Sequence, residues 1–153
     1  TETINRIISV FPPYQQKQVR LQLSTVLKAV ISQRLVPRAD GKGRVPALEI
    51  LVSTGLVREL IADKDRTKEL ADAITKGYTT YGMQSFDQSL MQLVKEGLVT
   101  YEEALKNVSN PFYQFLLDQY IQNIQILVKW RNHYEKEENK LKMLNIILMY
   151  IIE

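Results

Sequence analysis

The chain has 153 residues, of which 45% are hydrophobic and 24% charged. This is the size and composition of one ordinary globular domain, and it excludes a disordered chain, which has less apolar surface to bury. The net charge is only +3, and basic and acidic residues are interspersed, so we interpret the surface as mixed and solvated. The absence of cysteine excludes disulfides, thiol nucleophiles and zinc sites built on thiolates.

The chain shows no targeting or membrane signal. Its first residues lack a signal-peptide pattern, and the most apolar stretch, 143–152, is shorter than the roughly 20 residues that a membrane-spanning helix needs. We therefore do not expect a transmembrane protein. Because the sequence starts at Thr1 rather than at Met, we expect a fragment or a processed chain.

Two helices are predicted at the start of the chain. The first ends at Pro12 and Pro13, because proline lacks an N–H and disfavours helix in the residue before it. The second is predicted over 14–27. Apolar residues at helical spacing define their buried faces: Ile4, Ile7, Ile8 and Phe11 in the first helix, and Val19, Leu23, Val26 and Leu27 in the second.

A β-hairpin is predicted next. Two short β-branched segments, 30–36 and 44–53, flank a glycine-rich turn at 40–43. This turn does not match a phosphate-binding loop, which has the form G-x-x-x-x-G-K-[ST]. Gly43 follows Lys42 where that loop needs Ser or Thr, and the turn joins two strands rather than opening a helix.

The rest of the chain is predicted to be helical. A helix starts near Leu56 with Leu60 and Ile61 on the same face, and another covers 67–78 before Gly82 breaks the pattern.

Two shorter helices are predicted after this break. One covers 86–96 and ends at Gly97, and the next is capped by Thr100 with Glu103 three residues later and runs to Asn107.

None of the residue types that carry chemistry stands in a catalytic pattern. His133 is the one histidine and lacks a metal-ligand partner, so we expect a surface residue. The acidic pairs at 102–103 and 137–138 fit a capped helix and a charged surface rather than acid–base work. Asp87 is predicted in the first turn of a helix, where the helix dipole favours a carboxylate. Trp130 is predicted to pack on a helix face.

Several short segments stand in a characteristic order over the first two thirds of the chain. They are Phe11-Pro12-Pro13, the segment 29–35 with Gln33 and Arg34, the hairpin segment with Gly41, Gly43, Arg44 and Glu49, and the segment 81–90 with Gly82, Met83, Gln84 and Asp87. In this order they resemble the PilT family of type IV pilus retraction ATPases, of the type II/IV secretion ATPase superfamily.

The resemblance implies an α/β fold that is mostly helical. The chain is expected to be the C-terminal fragment of a RecA-like ATPase domain over 1–110, with helices around a β-hairpin, followed by an α-helical tail of uncertain origin over 111–153. After Asn110-Pro111 the composition shifts toward Ile, Asn, Lys and Tyr. That tail is either a lineage-specific extension or the product of a frameshift or read-through.

The resemblance also implies a function. Such proteins form cytoplasmic homohexamers, peripheral to the inner membrane, that use ATP and magnesium to retract type IV pili and so support twitching motility. Their expected partners are the other subunits and the pilus inner-membrane platform, not a specific nucleic acid. Walker A and Walker B motifs do not occur in this chain, so we place no catalytic, cofactor or metal residue in it and predict that it is inactive alone.

One family motif can be placed on individual residues. The segment 56–63 aligns with the retraction motif Ala-Ile-Arg-Asn-Leu-Ile-Arg-Glu, with Val57, Arg58, Leu60 and Ile61 as the candidate residues. Ala62 replaces the second arginine, which puts a charge-dependent role in doubt. The alternative is an ordinary amphipathic helix with Arg58 at its solvated edge. The absence of a four-cysteine zinc element favours the retraction branch over pilus-extension and secretion ATPases.

A second functional class stays open at this point. A free-standing basic module that binds nucleic acid or an anionic surface would use the net positive charge and would show steep salt dependence. The sequence offers no clustered basic and aromatic residues in its favour.

Overall fold

The computed structural model describes residues 2–134. The chain divides into two compact units, Thr1–Val108 and Ser109–Glu153. The first unit holds seven of the helices described here and one two-stranded antiparallel sheet. The predicted architecture, mostly helical around a β-hairpin, is confirmed.

Helix α1 (Glu2–Ser9) ends before the prolines as predicted, and α2 (Pro13–Val26) begins at Pro13. Ile4 and Ile8 are buried in α1, but the predicted buried face is wrong at Ile7 and Phe11, which are each 38% exposed. The predicted apolar face of α2 is wrong at Val26, which is 66% exposed. The helix ends at that residue and the chain leaves it in an extended conformation, so the buried face near this end is completed by Ser24 instead.

Strands β1 (Ala29–Pro37) and β2 (Arg44–Val52) form the predicted hairpin, in a register that pairs Val36 with Val45. At its tip the Arg38 amide donates to the Gly43 carbonyl at 3.1 Å. Gly41 and Gly43 have φ angles of 69° and 86°. Only glycine adopts such angles at little cost, which explains this turn sequence.

Helix α3 (Gly55–Ala62) begins where the hydroxyl of Thr54 accepts a hydrogen bond from the Val57 amide at 3.3 Å. Leu60 and Ile61 are fully buried, as predicted, but Leu56 is 49% exposed and Val57 takes its place in the core. The spacing explains this correction, because residues three and four positions apart share a helix face and Val57 precedes Leu60 and Ile61 by those intervals.

The single helix predicted over 67–78 is divided. A 3₁₀ turn (Thr67–Glu69) leads into α4 (Leu70–Lys76), and after Gly77 comes the short α5 (Tyr78–Tyr81). A Cβ at Gly77 would lie 2.7 Å from the Met83 sulfur, so glycine is needed there for close packing. Gly82 then turns the chain with a φ of 66°, as the predicted break requires.

Helices α6 (Phe86–Lys95) and α7 (Tyr101–Asn107) complete the first unit. The hydroxyl of Ser85 and the side chain of Gln88 form a reciprocal capping box at the start of α6. Gly97, with a φ of 69°, follows the helix as predicted. The Thr100 hydroxyl accepts from the Glu103 amide at 3.2 Å and starts α7.

The hydrophobic core of the first unit joins its N-terminal helices, the hairpin and the segment around α3 and α4. Its buried members are Ile4, Ile8, Leu51, Val57, Leu60, Ile61, Leu70, Ala73, Ile74 and Met83.

The second unit is described over its first part, where α8 (Pro111–Tyr134) forms one long helix. The Asn110 side chain accepts a hydrogen bond from the Phe112 amide at 2.9 Å near its start. Trp130 is 49% exposed on this helix. The backbone of His133 also lies in α8, whereas the acidic pair at 137–138 and the apolar stretch 143–152 lie outside the described residues. No helix over 2–134 is both long and apolar enough to span a bilayer.

We predict that Leu60→Ala lowers the free energy of unfolding by about 2 to 5 kcal/mol, because it removes fully buried methyl groups and leaves a cavity. The matched control, Leu56→Ala, removes the same atoms from an exposed side chain and changes stability by less than about 1 kcal/mol. Urea denaturation of both variants measures the difference. Equal losses would show that the orientation of α3 is wrong.

Candidate functional site

The four candidate residues of the retraction motif separate into two groups. Val57, Leu60 and Ile61 are at most 1% exposed and belong to the core. Arg58 is exposed, and its Nε donates to the Ser53 hydroxyl at 3.4 Å. Of the four, only Arg58 can touch a partner directly, while the other three fix the position from which it projects.

Helix α3 is held at its C-terminal end by a residue that the sequence did not single out. The Nη1 group of Arg20, on α2, donates to the Ile61 carbonyl at 3.1 Å and to the Thr67 hydroxyl at 2.9 Å. The Thr67 hydroxyl in turn donates to the Asp63 carbonyl at 3.1 Å. A cation at this end satisfies a carbonyl that the helix leaves unpaired and interacts favourably with the helix dipole.

The segment with Gly82, Met83 and Gln84 braces the hairpin. The Ile50 amide donates to the Gln84 carbonyl at 2.7 Å, and the Gln84 amide returns a bond to the Ile50 carbonyl at 3.0 Å. The Gln84 side chain adds a bond from Nε2 to the Leu48 carbonyl at 3.1 Å. Met83 is 2% exposed beneath this bridge. These family-signature residues therefore have a structural role: they extend the sheet at the outer edge of β2.

Helix α6 adds a second attachment to the same strand. The Leu48 amide donates to the Ser89 hydroxyl at 3.1 Å, and Ser89 is 6% exposed. Asp87 lies in the first turn of α6, as predicted, and is 7% exposed. The Ser89 hydroxyl thus attaches the N-terminal half of α6 to β2.

The remaining signature residues lie along the hairpin. Gln33 and Arg34 are exposed on β1, and the Arg34 guanidinium lies 4.5 Å from the centre of the Phe86 ring, a cation–π contact. Arg44 is exposed at the start of β2, and Glu49 is half-buried opposite Ser32.

The hairpin tip is closed by its own charges. The Nη2 of Arg38 lies 2.9 Å from Oδ2 of Asp40, and Oδ1 of Asp40 accepts from the Lys42 amide at 2.9 Å. These hydrogen bonds, chiefly that of Arg38, hold the pKa of the Asp40 carboxyl below its usual value. The bond to Asp40 in turn raises the pKa of Arg38. Both groups are exposed, so this pair contributes little to stability.

The glycine-rich hairpin turn does not fit a phosphate-binding loop. A phosphate cradle needs free backbone N–H groups, but at this turn the Gly41 amide already donates to the Arg38 carbonyl and the Lys42 amide to a carboxylate. The Asp40 carboxylate would also repel a phosphate. Over residues 2–134 no three acidic or histidine side chains are grouped so that they could hold a metal ion.

Comparison with known proteins places the chain in a family. No family model matches it. It is 43% identical over 109 residues to the type IV pilus ATPase PilU of Pseudomonas aeruginosa, and the matched region covers 71% of this chain and 28% of PilU. It is 41% identical over 109 residues to a twitching motility protein of Neisseria gonorrhoeae, and 39% identical over 110 residues to the pilus retraction ATPase PilT of Pseudomonas aeruginosa.

Solved structures agree with these relatives. The pilus retraction motor PilT with bound ADP matches with a TM-score of 0.56 and 39% identity, over 72% of this chain and 29% of that chain. The ATPase DotB of Legionella pneumophila matches with a TM-score of 0.52 at 22% identity, which shows the fold alone.

The fold of this chain therefore matches one segment of these ATPases. The chain belongs to the PilT and PilU family of type IV pilus ATPases, and it spans less than a third of the length of the relatives described here. These relatives give no support to the alternative of a free-standing basic module.

We predict that Asp40 titrates below the usual carboxyl range and that Arg38→Gln raises its pKa toward the ordinary value of 3.8, because the strongest stabiliser of the charged form is removed. Carboxyl ¹³C chemical shifts followed against pH measure this pKa. Because a lowered folded-state pKa favours the charged form, any stabilisation is present above pH 3.8 and lost as the pH falls through the folded-state value. An unchanged Asp40 pKa in the variant would contradict the described tip.

Proposed function

We propose that this chain is part of an ATP-driven motor that retracts type IV pili and supports twitching motility. The observation that carries the proposal is the match to the retraction motor PilT, which extends over 72% of this chain at 39% identity. In this proposal the motor is a homohexamer in the cytoplasm, peripheral to the inner membrane.

The role of this part is mechanical. Helix α3 presents Arg58 to a partner from a base that is fixed on three sides: by the core, by the Thr54 cap and by Arg20. A force applied to Arg58 would pass into the core and the hairpin rather than into a mobile loop. With Ala62 in place of the second arginine of the motif, Arg58 is the one cation on α3. The proposed partner of this surface is the inner-membrane platform of the pilus machinery.

ATP and magnesium bind to other residues of the motor in this proposal. The occupied amides at Gly41 and Lys42 and the absence of Walker motifs from the sequence support this assignment. Alone, the chain hydrolyses no ATP. No specific nucleic acid is a partner, since the groups described here offer neither stacked aromatics nor a continuous basic stripe.

A chimeric motor tests this function. Residues 1–108 of this chain replace the matching segment of Pseudomonas aeruginosa PilT, and the chimera is expressed in a strain that lacks PilT. We predict that the purified chimera hydrolyses ATP and restores twitching, while the isolated chain shows no turnover. A soluble, correctly assembled chimera without ATPase activity would contradict the proposal that this unit belongs to such a motor.

Arg58→Ala in the chimera tests the mechanical role separately. Arg58 is exposed and lies outside the core, so we predict unchanged ATP turnover and loss of twitching, because the charged contact to the partner is removed. Lys95→Ala, which removes an exposed cation from α6, is the matched control and leaves both readouts unchanged. Normal twitching of the Arg58 variant would eliminate its proposed role.

A further inference from the structure

A groove separates helix α2 from the end of α3. It has a volume of about 990 Å³ and opens to solvent. Its lining combines one face of α2, the exposed edge of α3 and the turn that follows. The lining residues are Pro13, Gln16, Lys17, Arg20, Glu59, Ala62, Asp63, Lys64 and Arg66.

Arg20 lies in this groove as a fixed cation. Its Nη1 donates hydrogen bonds to the Ile61 carbonyl and the Thr67 hydroxyl, and both acceptors are neutral. Over residues 2–134 Arg20 forms no ion pair with a carboxylate. Guanidinium has five N–H donors, so its Nε and Nη2 edge can still bind a carboxylate in a bidentate manner. The two existing bonds hold that edge in place before a ligand arrives.

The other charges of the groove leave a positive excess. Lys17, one helical turn before Arg20, and Lys64 are both exposed and also form no ion pair within the described chain. Arg66 is already paired with Glu69 through two hydrogen bonds of 2.9 and 3.0 Å. On the acidic side, an oxygen of Asp63 accepts from the Asp65 amide. The groove is thus lined by three cations that form no ion pair, Lys17, Arg20 and Lys64, and by two carboxylates, Glu59 and Asp63, which leaves a small positive excess.

We propose that this groove is a docking surface for an acidic segment of a partner protein, with Arg20 as the anchor for one of its carboxylates. The fixed Arg20 edge and the positive excess supply the charge complementarity, and Pro13, Ala62 and the amide of Gln16 offer a surface on which a peptide chain can pack. A nucleic acid fits less well, because no aromatic residue lines the groove on which its bases could stack.

This surface deepens the proposed function, since Glu59, Ala62 and Asp63 belong to the segment that aligns with the retraction motif. It makes the groove, together with Arg58, the place where the motor meets its partner. The binding test described below uses the 153-residue chain alone and no ATPase activity. A negative result would therefore contradict the docking surface but not the motor assignment, which the chimera tests separately.

The test is a titration of the ¹⁵N-labelled chain, followed by NMR, with a helical alanine peptide of about four turns that carries glutamate along one face. We expect amide shifts that saturate and are confined to the groove residues of α2, α3 and the following turn. The same peptide with lysine in place of glutamate produces no such shifts. A short single-stranded DNA that bound the groove more tightly than the acidic peptide would overturn the proposal.

Charge-reversal variants at the rim decide whether the binding is specific. Lys17→Glu with Lys64→Glu raises the Kd of the acidic peptide about tenfold, because two attractions become repulsions and neither side chain holds the fold. Lys95→Glu changes the net charge by two elsewhere and leaves the Kd within about twofold. Equal losses in the rim variant and the control, or shifts spread over all basic surfaces, would overturn the docking site.

Arg20→Gln serves as a second variant and removes the anchoring charge. We expect loss of the groove shifts while the spectrum of the core stays dispersed. Retention of full peptide affinity in Arg20→Gln would exclude Arg20 as the anchor.

Discussion

The structure of the first unit depends on one non-local interaction, the two-way backbone bridge between Ile50 and Gln84. A two-stranded hairpin alone is at best marginally stable in water. Here β2 gains a second neighbour beside β1. It is attached by this bridge, by the Gln84 side chain, which donates to the Leu48 carbonyl, and by the Ser89 hydroxyl, which accepts from the Leu48 amide. The bridge satisfies buried backbone groups on the outer edge of β2 and thereby fixes the start of α6 against the sheet.

This braced hairpin gives α3 a rigid base. The three buried motif residues pack into the same core as Leu51 of β2 and Met83 of the bracing segment. The motif can thus be understood as two layers of one short helix, with an apolar layer that sets its position and a polar edge that faces solvent. A substitution in the first layer would act through stability, whereas one at Arg58 would act through recognition. Arg20 joins both layers, because it caps α3 and lines the adjoining groove.

Local signals in the sequence predicted much of this fold. Pro12 and Pro13, the Asp-Gly-Lys-Gly turn and Gly82 mark the ends of elements by backbone chemistry that needs no partner. The predicted buried face of α3 was wrong at Leu56. A face that includes Leu56 and a face that includes Val57 both contain Leu60 and Ile61, and only the position of the Thr54 cap distinguishes them. The bonds of Arg20 and the Gln84 brace could not be predicted, because their partners lie 34 to 47 residues away and leave no periodic pattern. The placement of Arg58 as a contact and the predicted ATP and magnesium requirements of the motor stay predictions.

Native-state hydrogen exchange of the 153-residue chain tests the central constraint most directly. The account predicts that the amides of Ile50, Gln84 and Leu48 exchange slowly and together, at the rate set by unfolding of the core, because all three form hydrogen bonds between β2 and the segment 84–89. The exposed Gly41 amide at the hairpin tip should exchange much faster. If the Gln84 amide exchanged as fast as that of Gly41, the segment would be an unattached loop, and the brace would not support the fold.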